Sequence, residues 1–221
     1  MHAAAIAGAS GLTGQALLNA LLDSGGYDPV WAILRRPLPH PHPRLQQRLA
    51  DFANLENLGH IPLHTAFCTL GTTMRQAGSR DAFRDIDQGH VLRFARWAHA
   101  CGARHFLYVS SVLAHPDASS FYLRVKGETE DQLAAVGFER LDILQPSFLL
   151  GSRPQTRLGE RLAQVLAGAL SFALTGPRER LRPLPAATVA AAMANAAIHP
   201  GPPGVFRHEW GAIRRLAALS R

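Results

Sequence analysis

The stretch AIAGASGLTGQALLNALL, which begins at residue 5, limits the fold of this chain more than any other. An apolar run, Ala3–Ala7, stops at Gly8, and Gly11 and Gly14 follow at three-residue spacing. Leu17, Leu18, Leu21 and Leu22 then recur at helical spacing until Ser24-Gly25-Gly26 ends the pattern. Buried strand, tight turn and amphipathic helix make the first unit of a parallel α/β sheet. Glycines at this turn let the backbone bend sharply and approach a pyrophosphate with no Cβ in the way. Free N–H groups at the helix start then stabilise the phosphate charge. The spacing is G-x-x-G-x-x-G, not the G-x-G-x-x-G of the standard fingerprint, so the strand–turn–helix context carries the reading. Gly8, Ser10, Gly11, Leu12, Thr13 and Gly14 are the expected cofactor-binding residues of this loop.

The rest of the chain repeats the alternation. Val30–Arg36 reads as a second buried strand, QRLADF as a short third and His64–Gly71 as a fourth. AFRDIDQGHVLRFARWAHACG is helical by periodicity, RHFLYVSS is a fifth strand, YLRVKGETEDQLAAVG a further helix and RLDILQPS a sixth strand. RPLPHPHPRL is a loop, because proline lacks the N–H donor and fixes φ. Apolar strands alternating with helices predict an α/β fold, a Rossmann-like doubly wound parallel sheet with helices on both faces. Without an internal repeat or linker, residues 1–221 read as one domain. A small helical C-terminal region, 147–221, forms most of the substrate side.

The end of the second strand selects the cofactor. An Asp or Glu there would accept hydrogen bonds from the ribose 2′-OH of NAD. This chain has Arg35 and Arg36 instead, with no acid between Val30 and Ala50, and guanidiniums suit a 2′-phosphate. NADPH is therefore expected in preference to NADH. No metal is expected, since the neighbouring His-Pro-His-Pro lacks acidic or thiolate companions. The formal charge of +7 comes from dispersed arginines with no compact basic run, which supports nucleic-acid binding only weakly. The apolar stretches are broken before about 18 residues, so no membrane span is expected. Cys68 and Cys101 read as buried free thiols. The N-terminus lacks the basic and apolar blocks of a signal peptide, and the expectation is a cytoplasmic monomer or homodimer acting on a small molecule.

Tyr122 and Lys126 stand four apart at the start of a predicted helix and share a face. Ser110 and Ser111 end the preceding strand, at the edge where open α/β sheets bind ligands. Carbonyl reduction puts hydride on carbon and a proton on oxygen. A phenol titrates near about 10 and relays protons sluggishly at neutral pH, and a nearby ammonium favours the phenolate. Lys126 is the only lysine of a chain that otherwise uses arginine. Ser111, Tyr122 and Lys126 are the expected catalytic set, with Ser110 the alternative serine.

These residues match the Ser and Tyr-x-x-x-Lys set of short-chain dehydrogenases/reductases. The chain resembles an atypical, extended-type member, within the NAD(P)H-binding Tat-interacting oxidoreductase-like branch. The resemblance is carried by GASGLTG, DFANL, CTLGTTMRQAGSRDAFRDID, YVSS with FYLRVKGETE, and LQPSFLLGSR. It implies that Asp51 and Phe52 lie against the adenine, and that Leu70, Gly71 and Thr72 line the pyrophosphate and ribose side. It further implies that Tyr122 and Lys126 meet the cofactor and that Pro146 packs near the nicotinamide. Gln76 departs from a branch that often has a basic residue there, and the proline-rich loop replaces a charged one. Two functions remain open: an NADPH-dependent reductase of a small carbonyl or activated alkene, and an NADPH-binding sensor or protein-interaction module with little or no turnover. An isomerase or epimerase is a third, weaker reading, because the C-terminal region is small.

Overall fold

The computed structural model describes residues 2–39, 41–151 and 174–219. Seven parallel strands form one sheet: β1 (His2–Ala7), β2 (Tyr27–Leu34), β3 (Leu45–Leu49), β4 (Thr65–Cys68), β5 (His105–Val109), β6 (Arg140–Leu144) and, at the far edge, Gly204–His208. Its order is β3-β2-β1-β4-β5-β6 followed by the Gly204–His208 strand, so the direction of winding reverses between β1 and β4. Ligands of open α/β sheets bind beyond the carboxyl ends of the strands at such a switch. The glycine loop leaves β1 there.

Alternation along β1 shows how the sheet is covered. Ala4 and Ile6 join one core, and Ala5 and Ala7 join the other. The first core holds α1 (Leu12–Ser24) through Leu17, Leu18, Leu21 and Leu22. Between β4 and β6 come α2 (Met74–Ala77), α3 (Arg80–Arg84), a π-helical turn (Asp85–His90), α4 (Val91–Ala100) and α5 (Phe121–Ala134), of which α4 and α5 pack into the second core. Phe94 and Ala98 of α4 and Leu133 of α5 anchor that layer. Each large apolar side chain buried in this way contributes about 1.5–3 kcal/mol.

After β6, a two-stranded ladder pairs β7 (Leu149–Leu150) with β8 (Leu184–Pro185). Then come α6 (Ala186–Ile198), the edge strand β9 (Gly204–His208) and α7 (Trp210–Ala217). α6 is rich in alanine and buries Ala190, Met193, Ala194 and Ala197 in the first core, beside α1.

The sequence reading of six strands and their helices is met, with two differences. The third strand lies two residues earlier than QRLADF, where Leu45 packs inward and Gln47 exchanges amide bonds of 2.8 and 3.1 Å with Leu38 of the proline-rich loop. The tail also contributes a seventh strand, β9, which Pro202, Pro203 and Gly204 disguise as a loop. The helix expected near Leu158–Leu166 lies outside the described residues. Cys68 and Cys101 are buried free thiols, and burial pushes the Cys68 thiol up to about 12.

Candidate active site

Two adjoining cavities run along the carboxyl edge of the sheet and share Gly11, Thr69, Leu70 and Gly71. The first, of ≈ 620 Å³, is lined by Gly8, Ser10, the end of β2 through Arg35 and Arg36, and Phe52. The second, of ≈ 400 Å³, is lined by Leu12, Thr13, Thr72, Asp87, Ser110, Tyr122 and Lys126. The elongated cleft thus has a basic end and a tyrosine–lysine end, joined by the glycine loop.

The loop is built for close backbone approach. Gly8 has φ +87°, and a Cβ there would come within 2.6–2.8 Å of Thr69. A Cβ on Gly14 would stand 2.0 Å from the Gly8 carbonyl oxygen, so α1 can start this close only with glycine. Gly11 caps α1 with no side-chain bond, which leaves the first-turn N–H groups facing the cleft without a side-chain acceptor. This cradle fits a dinucleotide pyrophosphate. Arg35 and Arg36 are exposed beside it, and neither joins an ion pair among the described residues. Among those residues no group of His, Cys, Asp and Glu side chains could hold a metal, and no helix is long and apolar enough to cross a membrane.

At the other end, α5 places Tyr122 and Lys126 one turn apart. Tyr122 packs against Phe83 with ring centroids 5.6 Å apart. Lys126 is only 3 % exposed and donates to the Tyr108 hydroxyl at 3.0 Å. Its Nζ also stands 2.8 Å from Asp87 Oδ1. Burial opposes its charge, but Tyr108, Asp87 and Tyr122 outweigh burial, and the ammonium is held well above the usual lysine value. Asp87 sits in the π-helical turn, and its Oδ2 accepts the Thr72 backbone N–H at 2.8 Å.

Ser110, rather than the expected Ser111, faces the cleft. Consecutive residues at a strand end point to opposite sides, and Ser110 N–H continues the ladder to Leu144 O at 2.8 Å. Ser110 Oγ donates to Glu130 Oε1 at 2.5 Å, and that carboxylate also accepts from Gln145 and, at 2.8 Å, from Arg207 Nε. Ser111 is half-buried, with only a 3.4 Å contact to Val112 O.

Two residues implied by resemblance lie elsewhere. Phe52 lines the first cavity but Asp51 does not. The Asp51 carboxylate closes its own turn by accepting from Ala53 N at 2.9 Å and Asn54 Nδ2 at 2.8 Å, bonds that hold it below the usual carboxylate range. Pro146 is buried behind the cleft, where its carbonyl accepts Val112 N–H at 2.9 Å. Leu149 lines the cleft, whereas Phe148 is 79 % exposed. Sequence reasoning missed Asp87, Tyr108 and Glu130. The signal for Asp87 was present: it follows Phe83 by four residues, an acid within an apolar stripe.

The profile of the NAD dependent epimerase/dehydratase family matches residues 4–134. Protein HTATIP2 of Rattus norvegicus is 36 % identical over 204 residues, which cover 89 % of this chain and 81 % of that protein. Protein fmp52, mitochondrial, of Aspergillus clavatus is 32 % identical over 74 % of each chain. FMP52, mitochondrial, of Saccharomyces cerevisiae is 33 % identical over 69 % of this chain and 68 % of its own. The expectation of a cytoplasmic protein is corrected by these fungal relatives, which are mitochondrial by name, and a cytoplasmic location is withdrawn. In fold, the chain is similar to MoeE5 in complex with UDP-glucose and NAD. The TM-score is 0.67 at 17 % identity, over 96 % of this chain and 79 % of that one. WbmH of Bordetella bronchiseptica, in complex with NAD+, gives TM-score 0.67 at 17 % identity, over 98 % and 79 %.

Proposed function

The chain belongs to the NAD dependent epimerase/dehydratase family, and on that premise we propose that it is an NADPH-dependent reductase of a small carbonyl or activated alkene. The observation that carries this reading is one continuous cleft with exposed Arg35 and Arg36 at one end and Tyr122 with charged Lys126 at the other. Two guanidiniums at the end of β2 would take a 2′-phosphate through charge-assisted bonds. When bound, the nicotinamide supplies a hydride. Tyr122 gives its proton to the substrate oxygen, and the Lys126 charge stabilises the negative charge that develops on the phenol oxygen. Leu12 and Leu149 give the same cavity an apolar wall.

A second reading, an NADPH sensor, is favoured by one detail. The hydroxyl proton of Ser110 is committed to Glu130, so this serine presents only lone pairs to a ligand oxygen. Fluorescence titrations with NADPH and NADH, on the wild type and on the Arg35→Ala/Arg36→Ala variant, test the cofactor. A preference for NADPH that the double variant loses supports the assignment; equal affinities for both cofactors in the wild type overturn it. A panel of small carbonyls, with Tyr122→Phe as control, separates reductase from sensor.

A further inference from the structure

Lys126 has three N–H donors. One goes to Tyr108 Oη and one faces Asp87 Oδ1, which leaves one for the cleft that Lys126 lines. Asp87 is fully buried, and its Oδ1 takes no other partner among the described residues. Three independent features fix that carboxylate in place. It stands in a π-helical turn, a local widening of the helix that recurs at functional sites. Oδ2 is tied to the Thr72 backbone, in the segment that lines the cleft. The Asp87 backbone carbonyl lies 3.4 Å from Thr129 Oγ1 on α5, the helix that carries Lys126. Gly71 passes directly over the pair, since a Cβ there would lie 3.4 Å from Asp87 Oδ1 and 3.8 Å from Lys126 Nζ.

We propose that Asp87 is the positioning residue of Lys126, a carboxylate that keeps the chain's single lysine charged in its buried place and aims its free N–H into the cleft. The groups facing Lys126 are Tyr108 from β5, Tyr122 from its own helix and, more remotely, Cys68 from β4. Of the side chains that reach it, only Asp87 carries a formal negative charge at neutral pH. A buried ammonium stripped of its counter-ion sheds its proton more readily. Without Asp87, the cleft therefore loses its cation as pH rises. The consequence for cofactor capture rests on the proposed function; the ion pair itself does not.

Because Lys126 is the only lysine, trace acetylation with acetic anhydride reads its protonation in one peptide by mass spectrometry. In the wild type, half-labelling is expected at a pH above the ordinary lysine value of about 10.4. At about pH 9, Asp87→Asn should label at least about tenfold faster, and Asp87→Glu should return towards wild type. Circular dichroism shows whether each variant is folded. The proposal is overturned if Lys126 of the wild type labels like a free lysine, a result that needs no variant, or if folded Asp87→Asn labels at the wild-type rate. A companion titration with NADPH between about pH 7 and 9.5 should find the wild type flat and Asp87→Asn weakening about tenfold. The Asp87→Asn/Lys126→Met double variant should again be flat. Failure of every form to bind NADPH would remove the cofactor reading and leave the labelling result standing.

Discussion

Asp87 and Asp142 are both fully buried carboxylates with cationic neighbours, and they are satisfied in opposite ways. Asp142, on β6, accepts from His105 Nε2 and Arg140 Nε at Oδ2, each at 2.6 Å. Its Oδ1 accepts from His208 Nε2 at 2.6 Å and Arg140 Nη2 at 2.9 Å. Four donors from three adjacent strands close it completely. Asp87 has one backbone donor and one ion pair, and it lines a cavity. A fully satisfied buried charge fixes strands in register. A charge left partly open beside a cavity has capacity to spare for a ligand. On this contrast the Asp142 cluster serves the fold, and the Asp87–Lys126 pair is the one we propose serves the cleft.

The contrast can be broken by substitution. Tyr122→Phe carries the largest expected effect, a fall in turnover of about 10³-fold, near 4 kcal/mol in transition-state stabilisation, with an unchanged melting temperature. Asp142→Asn should do the reverse, with a loss of about 3 kcal/mol in urea denaturation at neutral pH and unchanged activity per folded molecule. Burial opposes the Asp142 charge, but the bonds from His105, His208 and Arg140 prevail and hold its carboxyl well below the usual range. Its contribution is therefore present above the unfolded value of about 3.9 and is lost as pH falls below it. Acid titration of stability should show this loss in the wild type, and Asp142→Asn should remove its share of the slope. Turnover that collapses in Asp142→Asn while the protein stays folded would erase the distinction.

Smaller effects test the basic end. Arg35→Ala/Arg36→Ala should weaken NADPH by roughly 30-fold, about 2 kcal/mol, and leave NADH affinity and stability unchanged. Gly71→Ala should do least. Its Cβ would make ordinary contact above the Asp87–Lys126 pair, so a loss of about threefold in cofactor affinity is expected, with no change in melting temperature.

How much of this could be read in advance follows from how local each signal is. The glycine loop, the arginine pair and the Tyr122–Lys126 spacing are encoded within single elements, and the structure brings all three to one cleft edge. Ser110 and Ser111 differ only in which side of a strand end they take, and this is decided by the ladder to β6. Asp51 has the expected residue type, but its own turn consumes its oxygens. Tyr108, Asp87 and Glu130 act on the site from three different elements, and only packing shows that they meet it. β9 was hidden because an edge strand with exposed Val205 and Arg207, preceded by two prolines, has little apolar pattern to read.

Label transfer tests the central claim most directly. NADPH carrying deuterium at the transferable position is incubated with a panel of small carbonyls, and the products are read by mass spectrometry. Deuterium is expected on the product carbon with the wild type, and about 10³-fold less with Tyr122→Phe. NADPH that binds while no product gains label, or equal trace transfer by the two proteins, would contradict it.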